Sequence, residues 1–420
     1  MQIPSRTIRS LLLFCMMVFL AAGPVLGQDE AHRGDYISLK LAVMGPGDEL
    51  YFWWGHIALV IEDAATGRDY FYDWGVFSFD NDHFFTNFAL GRLVYSCAVS
   101  WAEGSYAHYQ WANRDVTLYT LDLPAETKDE IRRFAENNVQ PENRDYFYHH
   151  FRDNCSTRIR DILDAAIEGQ FKAAFGEAPG RYTLREHIRR HMWFNPFFDW
   201  FLNFLMGRGI DQPIKVWDEL FLPGEMGSRI LDFSYTGAGG LTRPLVSSVE
   251  SRSRAAGRPA ILDEPLPAGR WELAAGCVLS IIMACFLILR QRRPGPGRAA
   301  LGIGQSLLGL FFGGCGLVLF FMSFFTNHDY TYHNANLLYV NPLLLAAVPL
   351  GIILARGGPR AARADRLLQW LWTYVFLAGL ITQALNLIPA LWQGNLATAA
   401  LVLPWSLLLS LIPRWLSRKR

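Results

Sequence analysis

Five apolar stretches, at 271–289, 301–325, 337–354, 367–392 and 396–411, fill the C-terminal part of this 420-residue chain. Each is close to the ~20 residues that a helix needs to cross the hydrocarbon core of a bilayer. Lipid offers the backbone no hydrogen-bond partners, so such stretches fold as an all-α bundle of five transmembrane helices. Basic clusters follow the first span (Arg290, Arg292, Arg293, Arg298), the third (Arg356, Arg360, Arg363, Arg366) and the fifth (Arg414, Arg418, Lys419, Arg420). Positive charge marks the cytoplasmic side. Residues before 271 are then external, with the loops 326–336 and 393–395, which contain no Lys or Arg.

The N-terminus fits export. Arg6 and Arg9 precede an apolar run at 11–22, and small or apolar residues lead up to Gly27, the pattern of a secretory signal peptide. An uncleaved anchor is the alternative, and both place the region from residue 28 onward outside. The organisation expected is a signal peptide at 1–27, an exported catalytic domain at 28–235, a linker rich in Gly, Pro, Ser and Arg at 236–270, and a transmembrane domain at 271–420 with a cytoplasmic C-terminus. A net charge of +1, with no stripe of Lys and Arg among aromatics, argues against a nucleic-acid partner. Nothing in one chain signals an oligomeric state.

Within the exported part, runs at 37–43, 57–62, 69–73, 92–99 and 116–121 read as strands, separated by turn clusters such as Gly45-Pro46-Gly47-Asp48. Helical periodicity covers 125–138 and 155–167. The class expected is α+β. The stretch 193–206 is too aromatic for an ordinary surface helix. It either dips into the outer leaflet or forms a core between the exported domain and the bundle.

Of six cysteines, only Cys97 and Cys155 fall in the exported domain. Exported thiols tend to pair, so a Cys97–Cys155 disulfide is one reading. The other is an inert Cys97 buried in its strand and a reactive Cys155. Cys155 follows Asp153-Asn154 at a helix start, and His56 follows Gly55 at the head of an apolar strand. A helix N-terminus and a neighbouring imidazole both favour the thiolate. The pair suggests Cys155 as nucleophile with His56 as base. Asp73 is the first choice for a third group that orients the imidazole, although an Asp before Trp74-Gly75 also suits a turn.

Around this pair, Tyr146, Tyr148 and Arg158 either line the site or pack beside it, and the Asn154 side chain joins the helix-start N–H groups as an oxyanion donor. His149 and His150 are competing bases. No metal-ligand spacing of the His-Glu-x-x-His or Cys-x-x-Cys kind occurs, so neither metal nor other cofactor is expected. His187 and His191, among Arg185, Arg189 and Arg190, read as a solvated basic face.

The segments Trp54-Gly55-His56, Tyr70-Phe71-Tyr72-Asp73-Trp74-Gly75, Tyr146-Phe147-Tyr148, Asp153-Asn154-Cys155-Ser156-Thr157-Arg158 and Leu220-Phe221-Leu222-Pro223 occur in an order that resembles the Lnb-type lipoprotein N-acyltransferases. So do His328, His333-Asn334-Ala335-Asn336 and Asn341-Pro342 in the membrane part. The resemblance implies a circularly permuted papain-like domain, akin to lecithin:retinol acyltransferases, whose histidine strand precedes its cysteine helix. It implies a multi-pass protein of the bacterial inner membrane with its catalytic domain in the periplasm. The acyl donor would be a membrane phospholipid and the acceptor a diacylated lipoprotein, with Cys155 as nucleophile and His56 as base. His328, His333, Asn334 and Asn336 would meet headgroup or lipoprotein, although polar loop residues are also often just solvated. Two other classes stay open: a papain-like peptidase or amidase acting on the cell wall, which needs no five spans, and a membrane sensor without catalysis.

Overall fold

The computed structural model describes residues 32–79, 83–237 and 239–417. The expected signal peptide, with Cys15, lies outside the described residues. An antiparallel seven-stranded sheet organises the exported part. It comprises β1 (Ile37–Met44), β2 (His56–Asp63), β3 (Arg68–Val76), β4 (Val94–Trp101), β5 (Val116–Leu121) and β6 (Asp145–Phe147). A hairpin of β7 (Ser234–Thr236) and β8 (Thr242–Pro244) follows, and β9 (Val246–Ser253) returns to the sheet, whose order is β6-β4-β3-β2-β1-β5-β9.

Side chains alternate across the sheet, so each strand feeds two cores. Leu39, Leu41, Ile57, Leu59, Ile61, Tyr72 and Trp74 face one layer; Ala42, Ala58, Val60, Phe71 and Leu118 face the other. Among the helices are α1 (Phe84–Ala89), α2 (Ala102–Trp111), α3 (Ala125–Asn138) and α4 (Cys155–Ala166). The first layer is closed by Ile131 and Ala135 of α3 and by Ile159 and Leu163 of α4. The second is closed by Ala102, Tyr106 and Tyr109 of α2.

The segment 236–270, expected as an irregular linker, contains β9, which pairs with β5 in a register that sets Tyr119 against Val249. Nearly every β9 residue is exposed. An edge strand with two polar faces has no apolar alternation to reveal it.

Next come α5 (Leu184–Met192), α6 (Pro196–Leu205) and α7 (Pro223–Leu231), and then the bundle: α8 (Arg270–Arg292), α9 (Pro294–Phe325), α10 (Ala347–Arg356), α11 (Ala361–Leu385) and α12 (Leu396–Ser417). Four apolar segments are long enough to cross a membrane: Arg270–Arg292, Pro294–Phe325, Ala335–Arg356 and Ala361–Leu385. The fifth expected span corresponds to α12, apolar over Leu396–Ser410. The third begins in two 3-10 turns, Ala335–Leu338 and Pro342–Ala346, before α10. Pro342 has no N–H to give, and Asn341 repairs the break by accepting from Leu343 N–H and donating to Leu337 O and the Tyr374 hydroxyl.

α6 joins the two parts. Trp200 and Phe204 are buried in the bundle core, where Trp200 stacks on Phe311 at 5.9 Å and Phe312 packs on Trp405 at 5.2 Å. On the other side of α6, Phe198 meets Trp53 edge-on at 5.6 Å, three residues before His56. Of the two readings of 193–206, the structure follows the inter-domain core, with Phe194 and Phe197 left exposed.

The expected solvated basic face on α5 is instead buried. Arg185 bonds Asp211 through Nε at 2.6 Å and Nη2 at 3.0 Å, and also the Asn203 and Met206 carbonyls. His187 Nε2 lies 2.9 Å from Glu219, and Arg190 reaches both His187 Nδ1 and Glu225. The acidic partners are distant in sequence, so spacing within α5 could not reveal them. Ile188 and Met192 of the same helix pack with Trp53.

Candidate active site

Gly55 turns the chain into β2 at φ +80°, where a Cβ would come 2.8 Å from the Met44 carbonyl oxygen. Only glycine takes that turn without strain. His56 then opens β2, and its Nε2–H donates to Asp73 Oδ1 at 2.5 Å. Leu59 pairs with Tyr72, and continuing that register sets Ala58 opposite Asp73 and makes His56 its diagonal neighbour. The His56 and Asp73 side chains are 15% and 21% exposed, which leaves a narrow opening to solvent. Burial alone would lower the His56 pKa, but the Asp73 carboxylate and then a thiolate at Cys155 outweigh it and hold the imidazole well above its usual value. With Nε2 on Asp73, Nδ1 is the nitrogen left for proton exchange.

Cys155 is the first residue of α4 and is buried. Asn154 caps this helix. Its Oδ1 accepts from Ser156 N–H at 3.0 Å and Thr157 N–H at 2.9 Å, while Thr157 Oγ1 accepts from Asn154 N–H at 2.8 Å. Both Asn154 amide hydrogens go to carbonyls, of His150 and Phe221, each at 2.9 Å. The Asn154 side chain is therefore occupied and is no oxyanion donor, contrary to expectation. Arg158 N–H bonds the Asn154 carbonyl. The Cys155 N–H is the first-turn donor that remains, aimed out of the helix with the positive end of its dipole.

The dyad and the nucleophile come from opposite faces of the sheet. His56 and Asp73 alternate with the face that α2 covers, whereas Cys155 belongs to the layer of α4. They come together at the strand end, where β3 bulges between Trp74 and Val76 and Gly75 adopts φ +95°. A Cβ on Gly75 would stand 3.9 Å from Cys155 Cβ, 3.5 Å from the Tyr148 ring and 3.9 Å from Tyr146 Oη. Its absence leaves a space beside the nucleophile.

Aromatic side chains wall this space. Arg158 is held by Asp153 at 2.6 and 2.9 Å and lies 3.7 Å over the Tyr146 ring, so it braces that ring. Tyr148 stacks on Tyr95 at 4.4 Å and meets His150 edge-on. Neither expected competitor is placed as a base. His149 Nε2 bonds Asp329 at 3.0 Å and its Nδ1 accepts from Phe151 and Arg152 N–H. His150 is pushed down to about 4, first by burial and then by His149 and His328.

The four polar residues of the external loop part company. His328 donates to the Phe88 carbonyl of α1 and accepts from the Tyr330 hydroxyl. Asn334 and Asn336 both donate to the Phe204 carbonyl at the end of α6, at 2.8 and 3.0 Å. All three are buried and hold the loop to the exported part, and of them Asn334 also lines a cavity. His333 and Asn334 line it with Arg208 and Tyr332; the cavity, of 820 Å³, is walled by Phe320 and Phe324 of α9 and Leu385 of α11.

Cys97 and Cys155 are both free thiols. Burial pushes Cys97 up to about 12, which makes it a poor nucleophile. Among the described residues no group of three or more His, Cys, Asp and Glu could hold a metal ion. Two features escape a reading of the sequence. Gly75 closes the Tyr70–Gly75 segment with no role assigned to it, and its residue type is the signal. Tyr109, buried on α2, feels the charge of His56, and nothing in its surroundings in sequence marks it.

A family model described as the Lnb N-terminal periplasmic domain matches residues 29–190, and one described as the Lnb transmembrane domain matches residues 273–419. No curated protein and no solved structure matches the chain. The fold and these matches describe a multi-pass membrane protein with a periplasmic domain.

Proposed function

The chain belongs to the Lnb family, and from that premise we propose that it is a cysteine-dependent lipoprotein N-acyltransferase. The donor is a membrane phospholipid and the acceptor is the α-amino group of a diacylglyceryl-cysteine. The observation that carries this reading is Cys155 at a capped helix N-terminus beside a His56–Asp73 pair, in a domain fixed to a membrane bundle through α6.

The chemistry follows from the groups present. The Cys155 thiolate attacks the ester carbonyl of the donor, and the developing oxyanion lies against the Cys155 N–H. The His56 imidazolium, oriented by Asp73, gives its proton to the departing glyceryl oxygen, and lysophospholipid leaves. The lipoprotein amine then attacks the thioester. Neutral His56 takes the amine proton, the C–S bond breaks and thiolate returns. The apolar cavity beside His333 and Arg208 is of a size to accept acyl chains on the external side of the bundle.

The test is expression in a bacterium lacking its own apolipoprotein N-acyltransferase, with mass spectrometry of lipoprotein N-termini. The reading expects an additional amide-linked acyl chain and release of lysophospholipid. Purely diacylated N-termini in cells that contain the folded protein would rule it out.

A further inference from the structure

Buried hydroxyl groups are almost always hydrogen-bonded, and each exception calls for a reason. Tyr146 Oη is buried with no hydrogen-bond partner among the described residues. It borders the space over Gly75 that Cys155 also borders, the Oη and the Cys155 Cβ each 3.9 Å from where a Gly75 Cβ would stand. The ring has little freedom to turn away. Tyr146 pairs with Tyr95 in the β4–β6 ladder, Tyr148 N–H bonds the Leu93 carbonyl at 2.7 Å just beyond, and Arg158 covers the ring at 3.7 Å. Arg158 in turn is fixed by Asp153, next to the Asn154 cap of the cysteine helix. The hydroxyl is thus held at the edge of a space in which, among the described residues, it finds no acceptor.

We propose that the space over Gly75 seats the reacting acyl carbonyl and that Tyr146 Oη–H is a catalytic hydrogen-bond donor to its oxygen, working with the Cys155 N–H. This deepens the acyltransferase reading and rests on it. The hydroxyl keeps its proton throughout: carbon gains the Cys155 sulfur, the carbonyl π pair moves onto oxygen, and the two donors accept that charge before it re-forms the carbonyl and expels the alkoxide. Burial first, and then the negative charge of Cys155, raise the Tyr146 pKa, so the phenol stays a neutral donor beside a thiolate. An empty, desolvated donor of this kind costs stability in the free protein and is repaid only when the oxyanion forms.

The decisive variant is Tyr146→Phe, which removes the oxygen and keeps the ring under Arg158. Full-length wild type and variant in phospholipid vesicles are compared in two reactions of the same thiol. One is single-turnover acylation by a p-nitrophenyl acyl ester, which passes through an oxyanion; the other is alkylation by iodoacetamide, which does not. Acylation is expected to fall about 100-fold, the usual loss for one oxyanion donor. Alkylation and the melting temperature are expected to stay within a few-fold and a few degrees of wild type. Equal acylation in both proteins overturns the donor role alone. A parallel loss in both reactions overturns it too, because the hydroxyl would then act on the thiol or the fold. A wild type in which Cys155 is never acylated overturns the acyltransferase reading and this inference with it.

Discussion

His56 and Asp73 stand on adjacent antiparallel strands as diagonal neighbours, joined by a 2.5 Å hydrogen bond from Nε2 to Oδ1. That bond leaves Nδ1 as the imidazole nitrogen open to proton exchange, and the Asp73 carboxylate raises the pKa against the pull of burial. A folded-state pKa above the unfolded value means that the charged pair stabilises the protein fully below about pH 6.5 and loses that contribution as pH rises through the folded value. The alkaline limb of kcat/KM, set by loss of the imidazolium proton, is expected above the ordinary histidine range. Asp73→Asn should move that limb to lower pH and cut kcat by ~100-fold. A pH–rate profile of the two proteins checks both.

Asn154 holds the nucleophile by five hydrogen bonds that involve its side chain or backbone N–H. Asn154→Ala removes the helix cap and leaves the His150 and Phe221 carbonyls without their donor. The expected loss is about 2–3 kcal/mol of stability with a large fall in activity. Asn154→Asp keeps the cap acceptor but sets a buried carboxylate oxygen against the His150 and Phe221 carbonyls, so in thermal unfolding it should not recover the stability lost in Asn154→Ala.

Arg185 and Asp211 form an ion pair whose side chains are 4% and 1% exposed, and Arg185 also holds the end of α6. Arg185→Met strands a buried carboxylate and should destabilise by ~3–5 kcal/mol, read as a lower melting temperature of the full chain. The Cys155 alkylation rate at a temperature where the variant is folded should change little, because α5 does not touch the thiol.

These pairs mark the limit of what the sequence reveals. The α+β pattern, the strands at 37–43 and 116–121 and the cysteine helix are legible because apolar periodicity and turn residues are local signals. The direction of the loop 326–336 is not. His328 and Asn336 read as groups facing a substrate, yet they bond the Phe88 and Phe204 carbonyls, 240 and 132 residues away. Polar residues that satisfy a distant backbone look the same in sequence as polar residues that await a ligand. The α5 histidines and arginines mislead for the same reason, and β9 escapes because only Val246, at its start, is buried.

Asn334 and Asn336 share one acceptor, so removing one leaves the Phe204 carbonyl satisfied by the other. Asn334 also accepts from Asn336 N–H and Gln393, and Asn336 from the buried Tyr339 hydroxyl, so each single Ala variant should melt several degrees below wild type, while the double variant should lose more than the sum of the two. Additive losses would show that the shared carbonyl is not what couples them.

The central claim is that Cys155 carries the acyl chain as a thioester. Purified full-length protein, incubated with vesicles of phospholipid and no lipoprotein acceptor, is analysed by intact mass and peptide mapping. The account predicts a mass gain of one acyl chain on the peptide containing Cys155, removed by neutral hydroxylamine, discharged by an added diacylated lipopeptide and absent from Cys155→Ala. An unmodified Cys155 in protein that still N-acylates the lipopeptide, or an adduct that persists in Cys155→Ala, would contradict it.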